Sequence, residues 1–494
     1  MTELLLRDIV AKLRPLETQN LNLSTGVKKI CQTWQEVEPA SIFVAVKGSR
    51  FDGHDFLAKA KDKGAAAFVV SEKNKAADLP VIVVDSTRKA LSSLASLFYQ
   101  NPSSKMGLIG VTGTNGKTTV NWMIYHLLLG LCSAAFRIGT LGFAAAKSKQ
   151  KVLSIEGNLT TPDALNLQKN LADCLSSQIN YGVIELSSHA LDQYRVEDLE
   201  LDVAVYTNLS RDHLDYHQGM REYFAAKARI LDLLEKSTKK KKTAVINIDC
   251  EYGKILLQNA SKLGLDSLTF GKDKHAFVCI CSFEESLSGS VIEFSIGGEQ
   301  VKIRSPFIGY HNAQNMAAAI ASMLALGFKL DGMREILAAI EQVPGRLQSV
   351  GNDRLGIFVD YAHTPDALKN VLLALRPLAK GNLWLVIGCG GDRDRGKRPE
   401  MAGIGRQFAD RLVITSDNPR TEDPEAIIKD MLSEGVQADI CEPDRRKAIE
   451  GAIRSAALRD IILIAGKGHE DYQIIGTEKR HFSDVEEVKR VLDE

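Results

Sequence analysis

The sequence lacks the features that identify several large classes of protein. Its 62 lysines and arginines equal its 62 aspartates and glutamates, so no net charge attracts nucleic acid or a membrane surface. No stretch approaches the roughly 18 apolar residues of a membrane span. Arg7 and Asp8 interrupt the segment where a signal peptide has its apolar centre. We therefore expect a cytoplasmic protein, taken to be a monomer, that binds neither nucleic acid nor membranes.

The eight cysteines are scattered along the chain and include no CxxC pair. This spacing argues against both a disulfide framework and a zinc site. Only Cys279 and Cys281 are close together, and residues two apart on a strand share a face without being able to form a disulfide. We therefore expect reduced thiols without a catalytic role.

The distribution of apolar residues predicts an α/β fold with several domains. The 494 residues, 45% of them hydrophobic, are too many for one core and predict roughly three domains. Short runs rich in valine, isoleucine and alanine alternate with helical stretches, which is typical of mostly parallel sheets covered on both faces. Asn-Pro and Pro-Gly interrupt this pattern at residues 101–104 and 343–345. We therefore predict domains at 1–104, 105–342 and 343–494.

The predicted strands end in polar or glycine-rich loops. Ligands of open α/β sheets bind at the carboxyl ends of the strands, so these loops are where function is expected. The apolar runs predict a long helix at 313–326 and strands at 41–46, 65–70, 81–84, 106–111, 181–186, 203–207, 244–248, 355–359, 383–387, 411–415 and 461–465.

A strand, a glycine-rich loop and an amphipathic helix follow one another at residues 106–131. In such a loop the backbone N–H groups curl around phosphate oxygens, a lysine supplies charge, and a hydroxyl can hold Mg²⁺. The loop departs from the usual phosphate-loop pattern GxxxxGK[ST] at one position, because Val111 stands where the first glycine of the pattern would be. The alternative is a glycine-rich turn before a buried helix. We predict nucleotide binding by Gly113, Thr114, Asn115, Gly116, Lys117, Thr118 and Thr119.

Acidic and basic residues follow two neighbouring predicted strands. Glu185 ends one strand, and residues 207–217 follow the next, so both lie at the phosphate-loop edge of the sheet. A carboxylate in that position can hold Mg²⁺. The alternative for Glu185 is a salt bridge at the end of a strand. On residue type alone, a lone histidine such as His213 is more often structural, and Lys227 is an exposed helix lysine.

Two further segments offer groups for charged ligands. Thr160 and Thr161 begin a helix and either bind an anion or cap the helix, while a guanidinium such as that of Arg195 pairs well with phosphate or carboxylate. Residues 416–424 follow a buried strand, where Asp417 and Arg420 present opposite charges to a zwitterion. The alternative for this last segment is an exposed turn held by a salt bridge.

Residues 110–119 (GVTGTNGKTT) resemble the phosphate loop of the Mur ligase family, the ATP-dependent amide ligases that build the peptidoglycan stem peptide. Folylpolyglutamate synthetases share much of this loop. Further motifs recur in the family's order from near Val37 to the C-terminus, so the resemblance covers nearly the whole chain. It implies a smaller N-terminal α/β domain that binds the UDP-substrate, a central P-loop NTPase-like domain with a mostly parallel sheet, and a C-terminal Rossmann-like domain that binds the amino acid.

The resemblance also implies the catalytic and metal-binding residues. In the family, the lysine that matches Lys227 carries a carbamate made from CO₂, and the histidine that matches His213 lies at a second Mg²⁺. The catalytic set implied in this way is Lys117, Lys227, Glu185 and His213, and the ligands of two Mg²⁺ ions are Thr118, Glu185, His213 and Lys227.

Residues for the substrates are implied in the same way. The nucleotide site would be completed by His311, Asn312, Asn315, Arg346 and Asp360, and the UDP-MurNAc-dipeptide would be bound by Thr160, Thr161, Ser187, Gln193 and Arg195. The string from Asp417 to Arg420 resembles that of members that add meso-diaminopimelate, in which the arginine binds the distal carboxylate that lysine lacks. The implied amino-acid pocket is Arg393, Asp417, Asn418, Arg420, Gly466 and Glu470.

The activity implied is the ATP-dependent joining of meso-diaminopimelate to the D-glutamate γ-carboxylate of UDP-MurNAc-L-Ala-D-Glu through an acyl phosphate. Two alternatives remain, a lysine-adding or folate-glutamating relative and a nucleotide-binding switch without catalysis. The N-terminal segment departs from the family, which usually has Asp-Ser-Arg before Pro-Gly where this chain has Gln32-Thr33-Trp34 and Pro39-Ala40. We predict that Trp34 stacks on the uracil base.

Overall fold

The computed structural model describes residues 4–48, 51–76, 78–148, 150–155, 159–214, 216–352 and 355–494. Residues 4–98 contain three α-helices and seven strands. The helices are α1 (Leu6–Leu13), α2 (Leu57–Asp62) and α3 (Thr87–Phe98), and the strands are β1 (Leu4–Leu5), β2 (Glu17–Gln19), β3 (Gly26–Val27), β4 (Lys29–Cys31), β5 (Ser41–Val44), β6 (Ala65–Val70) and β7 (Val81–Val83).

The middle of the chain supplies one large sheet and the helices around it. Its strands are β8 (Gly107–Thr112), β9 (Ala134–Gly139), β10 (Gly142–Lys147), β11 (Gln150–Ile155), β12 (Tyr181–Glu185), β13 (Val203–Tyr206), β14 (Thr243–Asn247), β15 (Asp266–Gly271), β16 (Val278–Ser286), β17 (Gly289–Ile296) and β18 (Glu299–Ser305). Its helices are α4 (Lys117–Cys132), α5 (Ala164–Ser176), α6 (Ser188–Asp192), α7 (Met220–Lys236), α8 (Glu251–Lys262), α9 (Tyr310–Ala325) and α10 (Met333–Ala339).

The C-terminal third again alternates strands with helices. The strands are β19 (Gln348–Ser349), β20 (Gly356–Asp360), β21 (Leu383–Ile387), β22 (Arg411–Ile414), β23 (Ile440–Cys441), β24 (Ile461–Ala465), β25 (Tyr472–Ile475) and β26 (Glu478–His481). The helices are α11 (Pro365–Leu375), α12 (Lys397–Phe408), α13 (Pro424–Met431), α14 (Arg445–Ser455) and α15 (Asp484–Asp493).

The large central sheet has eleven strands in the order β11-β10-β9-β12-β8-β13-β14-β15-β16-β17-β18. Its middle, from β9 to β16, is parallel, and both ends are extended by antiparallel strands. The core strands are buried along nearly their whole length because helices cover both faces. After β8 the chain forms β9 and β12, which lie on one side of β8 in the strand order, and it then forms β13, which pairs with β8 on the other side. The loop after β8 therefore lies at a topological switch point, where ligands of such sheets bind.

The structure also contains two smaller sheets and two two-stranded ribbons, which pair β1 with β3 and β25 with β26. The N-terminal sheet has the order β2-β7-β6-β5-β4, and the C-terminal sheet has the order β19-β20-β24-β21-β22-β23. In the C-terminal sheet β20, β24, β21, β22 and β23 are all parallel, so the loops that follow β21, β22 and β24 emerge at one edge. The three sheets confirm the predicted α/β class.

The predicted elements agree closely with the structure where apolar runs are continuous. The strands predicted at 65–70, 383–387 and 461–465 have those bounds, and the helix predicted at 313–326 is α9, which begins three residues earlier. In the central sheet the prediction omitted β9, β10, β11, β15, β16, β17 and β18. The residues of β17 and β18 alternate between more and less buried positions, and those of β11 are largely exposed, so these three strands form no continuous apolar run. Within the described residues, no helix has the length and apolar character needed to cross a bilayer.

Candidate functional site

The loop between β8 and α4 has the shape of a phosphate cradle. Gly113 and Gly116 have φ angles of 148° and 86°, which disfavour any residue with a side chain. A Cβ atom on Gly113 would lie 1.9 Å from the Thr207 hydroxyl, and one on Gly116 would lie 2.3 Å from Asn315 Oδ1. The loop is braced from the next strand, since the Asn115 N–H donates to Asn208 Oδ1 at 2.9 Å. Glycine is therefore required at both positions.

Lys117 begins helix α4 and turns its side chain back over this loop. Its Nζ donates to the carbonyl oxygens of Gly113 at 2.9 Å and Thr114 at 2.8 Å. Burial lowers the pKa of this amine, while Glu185 and Asp212 act in the opposite direction. A lysine amine that donates to carbonyl oxygens can exchange them for stronger anionic acceptors when it is charged.

Two of the predicted magnesium ligands are in contact. The Thr118 hydroxyl donates to Glu185 Oε2 at 3.2 Å, and Glu185 is 1% exposed at the end of β12. Thr140 donates to the same carboxylate twice, from its N–H at 3.0 Å and from its hydroxyl at 3.1 Å. Among the described residues, no lysine or arginine forms an ion pair with Glu185. The salt-bridge alternative for Glu185 is therefore wrong, and oxygen groups are gathered there.

Lys227 is buried, contrary to the expectation of an exposed helix lysine. Its side chain leaves α7 beneath the phosphate loop, where Nζ donates to the Gly113 carbonyl oxygen at 2.7 Å and lies 4.5 Å from the centre of the Tyr223 ring. Burial, followed by the nearby Lys117 charge, holds the pKa of Lys227 well below its usual value. Burial therefore disfavours the charged form of this amine and favours its neutral, nucleophilic form.

His213 follows β13 in the left-handed region, with a φ angle of 54°. Its side chain is 44% exposed, and its ring centre lies 4.9 Å from that of His189. His213 and Lys227 both line the cavity that contains the phosphate loop.

This cavity has a volume of about 320 Å³ and lies between the central and C-terminal sheets. Glu185, Gly113 and Thr161 do not line it but are bonded to residues that do. The predicted site residues on its wall are Thr114, Asn115, Gly116, Lys117, Thr118, Thr119, Thr160, Ser187, His213, Lys227, His311, Asn312, Asn315, Arg346 and Asp360. The structure thus brings most of the predicted nucleotide and metal residues together.

Two of the residues predicted for the nucleotide site, Arg346 and Asp360, lie where the chain passes from the central sheet to the C-terminal sheet. Arg346 stacks on Tyr361, with its guanidinium carbon 4.7 Å from the ring centre, and donates from Nη2 to the Thr118 hydroxyl at 3.4 Å. Asp360 accepts the N–H groups of Leu347 at 2.5 Å and Ala362 at 2.7 Å. Burial raises the pKa of Asp360. Asp360 therefore fixes the backbone at Leu347 and Ala362 and also forms part of the cavity wall.

The predicted substrate residues Gln193 and Arg195 lie outside this cavity. Arg195 donates from Nε to Gln193 Oε1 at 3.1 Å and from Nη1 to the Thr161 carbonyl oxygen at 3.2 Å. The Thr161 hydroxyl in turn accepts the Ser187 N–H at 3.0 Å. The five predicted residues are therefore connected through Thr161, although the cavity touches only Thr160 and Ser187.

The N-terminal residue Trp34 packs at the surface of its own sheet. The ammonium groups of Lys59 and Lys63 lie 5.0 and 5.7 Å from its ring centre. Stacking of Trp34 on uracil stays a prediction, and the structure shows that two cations already lie beside the ring.

The predicted amino-acid residues gather at the edge of the C-terminal sheet. Asp417, Asn418 and Arg420 follow β22, and Gly466 and Glu470 follow β24. The Asn418 amide donates to Glu470 Oε2 at 2.9 Å, so residues that are distant in sequence are joined. The Gly466 N–H donates to the Asp360 carbonyl oxygen at 3.1 Å, which connects this cluster to the wall of the cavity.

The two arginines of this cluster differ in their surroundings. Arg420 is half-buried and donates from Nη1 to the Gly391 carbonyl oxygen at 2.7 Å, whereas Arg393 is exposed on the loop after β21. Arg420 forms no ion pair within the described residues. The turn held by a salt bridge, which composition alone favours, is therefore wrong for this arginine.

Sequence reasoning missed several residues that support the site. Lys467 lies between the predicted residues Gly466 and Glu470 and is fully buried, although lysine is usually exposed. Thr140 carries no sequence signal, and neither does the buried pair of Arg445 and Asp484, whose Nη2 and Oδ2 atoms are 2.7 Å apart. Only the packing of distant segments reveals their contacts.

Known proteins match the chain over nearly its whole length. Three family models cover it, the Mur ligase family catalytic domain at residues 35–99, the Mur ligase middle domain at 111–323 and the Mur ligase glutamate ligase domain at 345–468. The UDP-N-acetylmuramoyl-L-alanyl-D-glutamate–2,6-diaminopimelate ligase of Aquifex aeolicus is 41% identical over 468 residues, 94% of each chain.

Solved structures show the same architecture. A structure of a ligase with that name is 32% identical, with a TM-score of 0.71, and the match covers 100% of this chain and 99% of the other. The MurF ligase of Thermotoga maritima, solved in complex with ADP, is 21% identical with a TM-score of 0.62 and covers 94% and 97% of the two chains. At this identity the second match shows a shared fold.

Proposed function

We propose, from the premise that this chain belongs to the Mur ligase family, that it joins meso-diaminopimelate to the D-glutamate γ-carboxylate of UDP-MurNAc-L-Ala-D-Glu at the expense of ATP. One observation carries the proposal. The cluster that contains Asp417 and Arg420 is bonded, through Gly466 and Asp360, to the wall of the phosphate-loop cavity. An amine held by that cluster would lie beside a carboxyl group activated in the cavity. We propose the domain limits 1–104, 105–342 and 343–494 for the three parts.

The reaction follows from this arrangement in two steps. The substrate carboxylate attacks the γ-phosphorus of ATP, the bond to the bridging oxygen breaks, and an acyl phosphate and ADP result. The amine of the diamino acid then attacks the acyl carbon, loses a proton and displaces inorganic phosphate. Lys117 neutralises charge on the transferred group, because phosphoryl transfer depends on positioning and electrostatics. No side chain has to form a covalent bond to the substrate.

The residues beside the phosphate loop fit Mg²⁺. Thr118 and Glu185 offer oxygen atoms, which this ion prefers, and within the described part of the chain the donors to the buried Glu185 carboxylate are neutral groups of Thr118 and Thr140. When bound, Mg²⁺ neutralises phosphate charge and helps to align the reacting oxygens. We assign His213 and a carbamate on Lys227 to a second ion.

The carbamate on Lys227 would form by attack of the neutral amine on CO₂, which makes an N–C bond and releases one proton. The low pKa of this buried lysine supports the proposal, since an ammonium ion cannot react. The product replaces a buried positive charge with an oxygen pair suited to Mg²⁺. We further assign Arg420 and Arg393 to a carboxylate of the diamino acid, Asp417, Asn418 and Glu470 to its ammonium group, and Thr160, Thr161, Ser187, Gln193 and Arg195 to the UDP-dipeptide.

The proposal is tested by measuring ADP release with UDP-MurNAc-L-Ala-D-Glu and either meso-diaminopimelate or lysine. We expect release that depends on meso-diaminopimelate and is far slower with lysine. Faster release with lysine would identify a lysine-adding enzyme. ATP binding without release under either condition would identify a nucleotide-binding switch.

Replacing Lys227 with alanine should reduce turnover by roughly 10²-fold or more, because a ligand of the second ion is lost. Bicarbonate should raise the activity of CO₂-depleted wild type, and lowering the pH should reduce both the activity and the carbamate, since protonation of the amine reverses its formation. Mass spectrometry of the native protein measures the modification. Replacing Lys236, an exposed lysine at the end of the same helix, is the control. Undiminished activity of Lys227→Ala would remove the carbamate from the mechanism.

A further inference from the structure

Lys467 is a buried cation that the proposed reaction does not use. It follows β24, its side chain has 0% exposure, and its ammonium group has three polar partners. Nζ lies 3.1 Å from Asn418 Oδ1, 3.3 Å from Glu470 Oε2 and 3.5 Å from Asp417 Oδ1. A buried ammonium is costly unless it is paired and hydrogen-bonded. Because Lys467 contacts three residues of the proposed amino-acid pocket, it can affect all three of them.

The contacts of Lys467 form a closed triangle with Asn418 and Glu470. The Asn418 amide nitrogen donates to Glu470 Oε2 at 2.9 Å, and Lys467 reaches the same oxygen. Asn418 Oδ1 accepts from both Lys467 and the Ile474 N–H, the latter at 3.0 Å. Each member is therefore held by two others or by the backbone. Such a network fixes the direction in which the Glu470 carboxylate points.

The exposure of these groups separates their roles. The side chains of Asp417 and Glu470 are 15% and 17% exposed, whereas that of Lys467 is fully covered. A ligand can therefore reach the two carboxylates but not the ammonium group behind them. Lys467 also cancels one of the two negative charges, which leaves the group with a single net negative charge, suited to one ammonium ion.

The loops that carry this group are anchored independently of Lys467. Arg445 donates to the carbonyl oxygens of Ser416 at 3.3 Å and Ala465 at 3.1 Å, the residues immediately before Asp417 and Gly466. Its guanidinium is paired with the fully buried Asp484 at 2.7 Å. The backbone of both loops should therefore persist when the Lys467 side chain is shortened or loses its charge.

We propose that Lys467 is a positioning residue for amino-acid specificity, which holds Glu470 and Asn418 in place and reduces the charge of the Asp417 and Glu470 pair so that the pair accepts one ammonium group. This inference rests on the proposed function, because it concerns the binding of the diamino acid.

The test is steady-state kinetics of Lys467→Met with each substrate varied in turn. We expect the KM for meso-diaminopimelate to rise by about 10- to 100-fold, the cost of losing hydrogen bonds to a charged group. The KM values for ATP and the UDP-dipeptide should change less than about twofold. Lys467→Gln, which keeps a hydrogen-bond donor but no charge, provides a second variant if the methionine variant does not fold. The control is Lys479→Met, because this exposed lysine lies 3.9 Å from the centre of the Tyr472 ring that Lys467 also faces.

A double-mutant cycle with Glu470→Gln separates positioning from general support of the fold. If Lys467 acts through Glu470, the double variant should bind the diamino acid little worse than Glu470→Gln alone. Additive effects, an unchanged KM for the diamino acid in Lys467→Met, or equal losses for all three substrates would each overturn the proposal. Absence of ADP release dependent on a diamino acid in the wild type would instead overturn the proposed function itself.

Discussion

Replacing Lys117 with methionine should lower the rate of ADP formation by roughly 10³-fold, the largest effect that we expect from a single side chain. The Lys117 ammonium lies against the carbonyl oxygens of the phosphate loop and, among the residues that the structure describes, forms no ion pair with a carboxylate. It can therefore move to the transferred phosphoryl group, where negative charge must be neutralised. Methionine has a similar length without the charge, so the helix and the loop should remain in place.

The measurement is a single-turnover assay with ATP, the UDP-dipeptide and meso-diaminopimelate. Binding of the diamino acid should be unaffected, because its proposed pocket lies at the other sheet. Lys105→Met provides the control, since this exposed lysine precedes the same strand, β8, at its opposite end. A loss smaller than about tenfold would show that Lys117 does not stabilise the transition state.

Replacing Arg420 with alanine should reduce kcat/KM for meso-diaminopimelate by roughly 10²-fold, which corresponds to the loss of a charged hydrogen bond. Arg420 has a half-buried guanidinium that now donates to the Gly391 carbonyl oxygen and has no acidic partner in contact within the described chain. A carboxylate would be a better acceptor than this carbonyl. The substitution Arg420→Lys should restore little of the lost kcat/KM, because a lysine side chain lacks the planar fork of donors of a guanidinium.

The comparison of two amino-acid substrates tests this role directly. Lysine lacks the distal carboxylate, so the slow reaction with lysine should be nearly unchanged in Arg420→Ala, and the preference for meso-diaminopimelate should largely disappear. ATP binding should not change. Arg411→Ala is the matched control, because this exposed arginine begins the strand that Arg420 follows. An equal loss of ATP binding and diaminopimelate turnover would mean that Arg420 only supports the fold.

Much of the fold was predictable because the chain repeats one local pattern. A strand buried on both faces must be apolar throughout, so β6, β21 and β24 are visible as continuous runs in the sequence. The antiparallel strands β10, β11, β17 and β18 were not predicted. They lie at the ends of the sheet, and the register that places them there depends on pairing between segments rather than on the composition of each.

The parts of the site whose residues are close together in the sequence were predictable, and those that depend on distant residues were not. The phosphate loop needs glycines, a lysine and a threonine within a few residues, and all of them lie where the sequence suggested. Lys227 could not be placed by residue type, because an exposed and a buried helix lysine look alike in a sequence. The low pKa of its amine arises from burial and from Lys117, which is distant along the chain.

The sequence by itself determined the α/β class, the buried strands that form continuous apolar runs, and the segments that we propose bind phosphate and a zwitterion, because each depends on neighbours within one turn or one loop. The tertiary structure alone decided which of those groups meet. It placed three donors on Glu185, buried Lys467 behind two carboxylates, and joined the two proposed ligand sites through the hydrogen bond between Gly466 and Asp360. These contacts join segments that are far apart along the chain, so no local pattern encodes them and only the packing of the sheets reveals them.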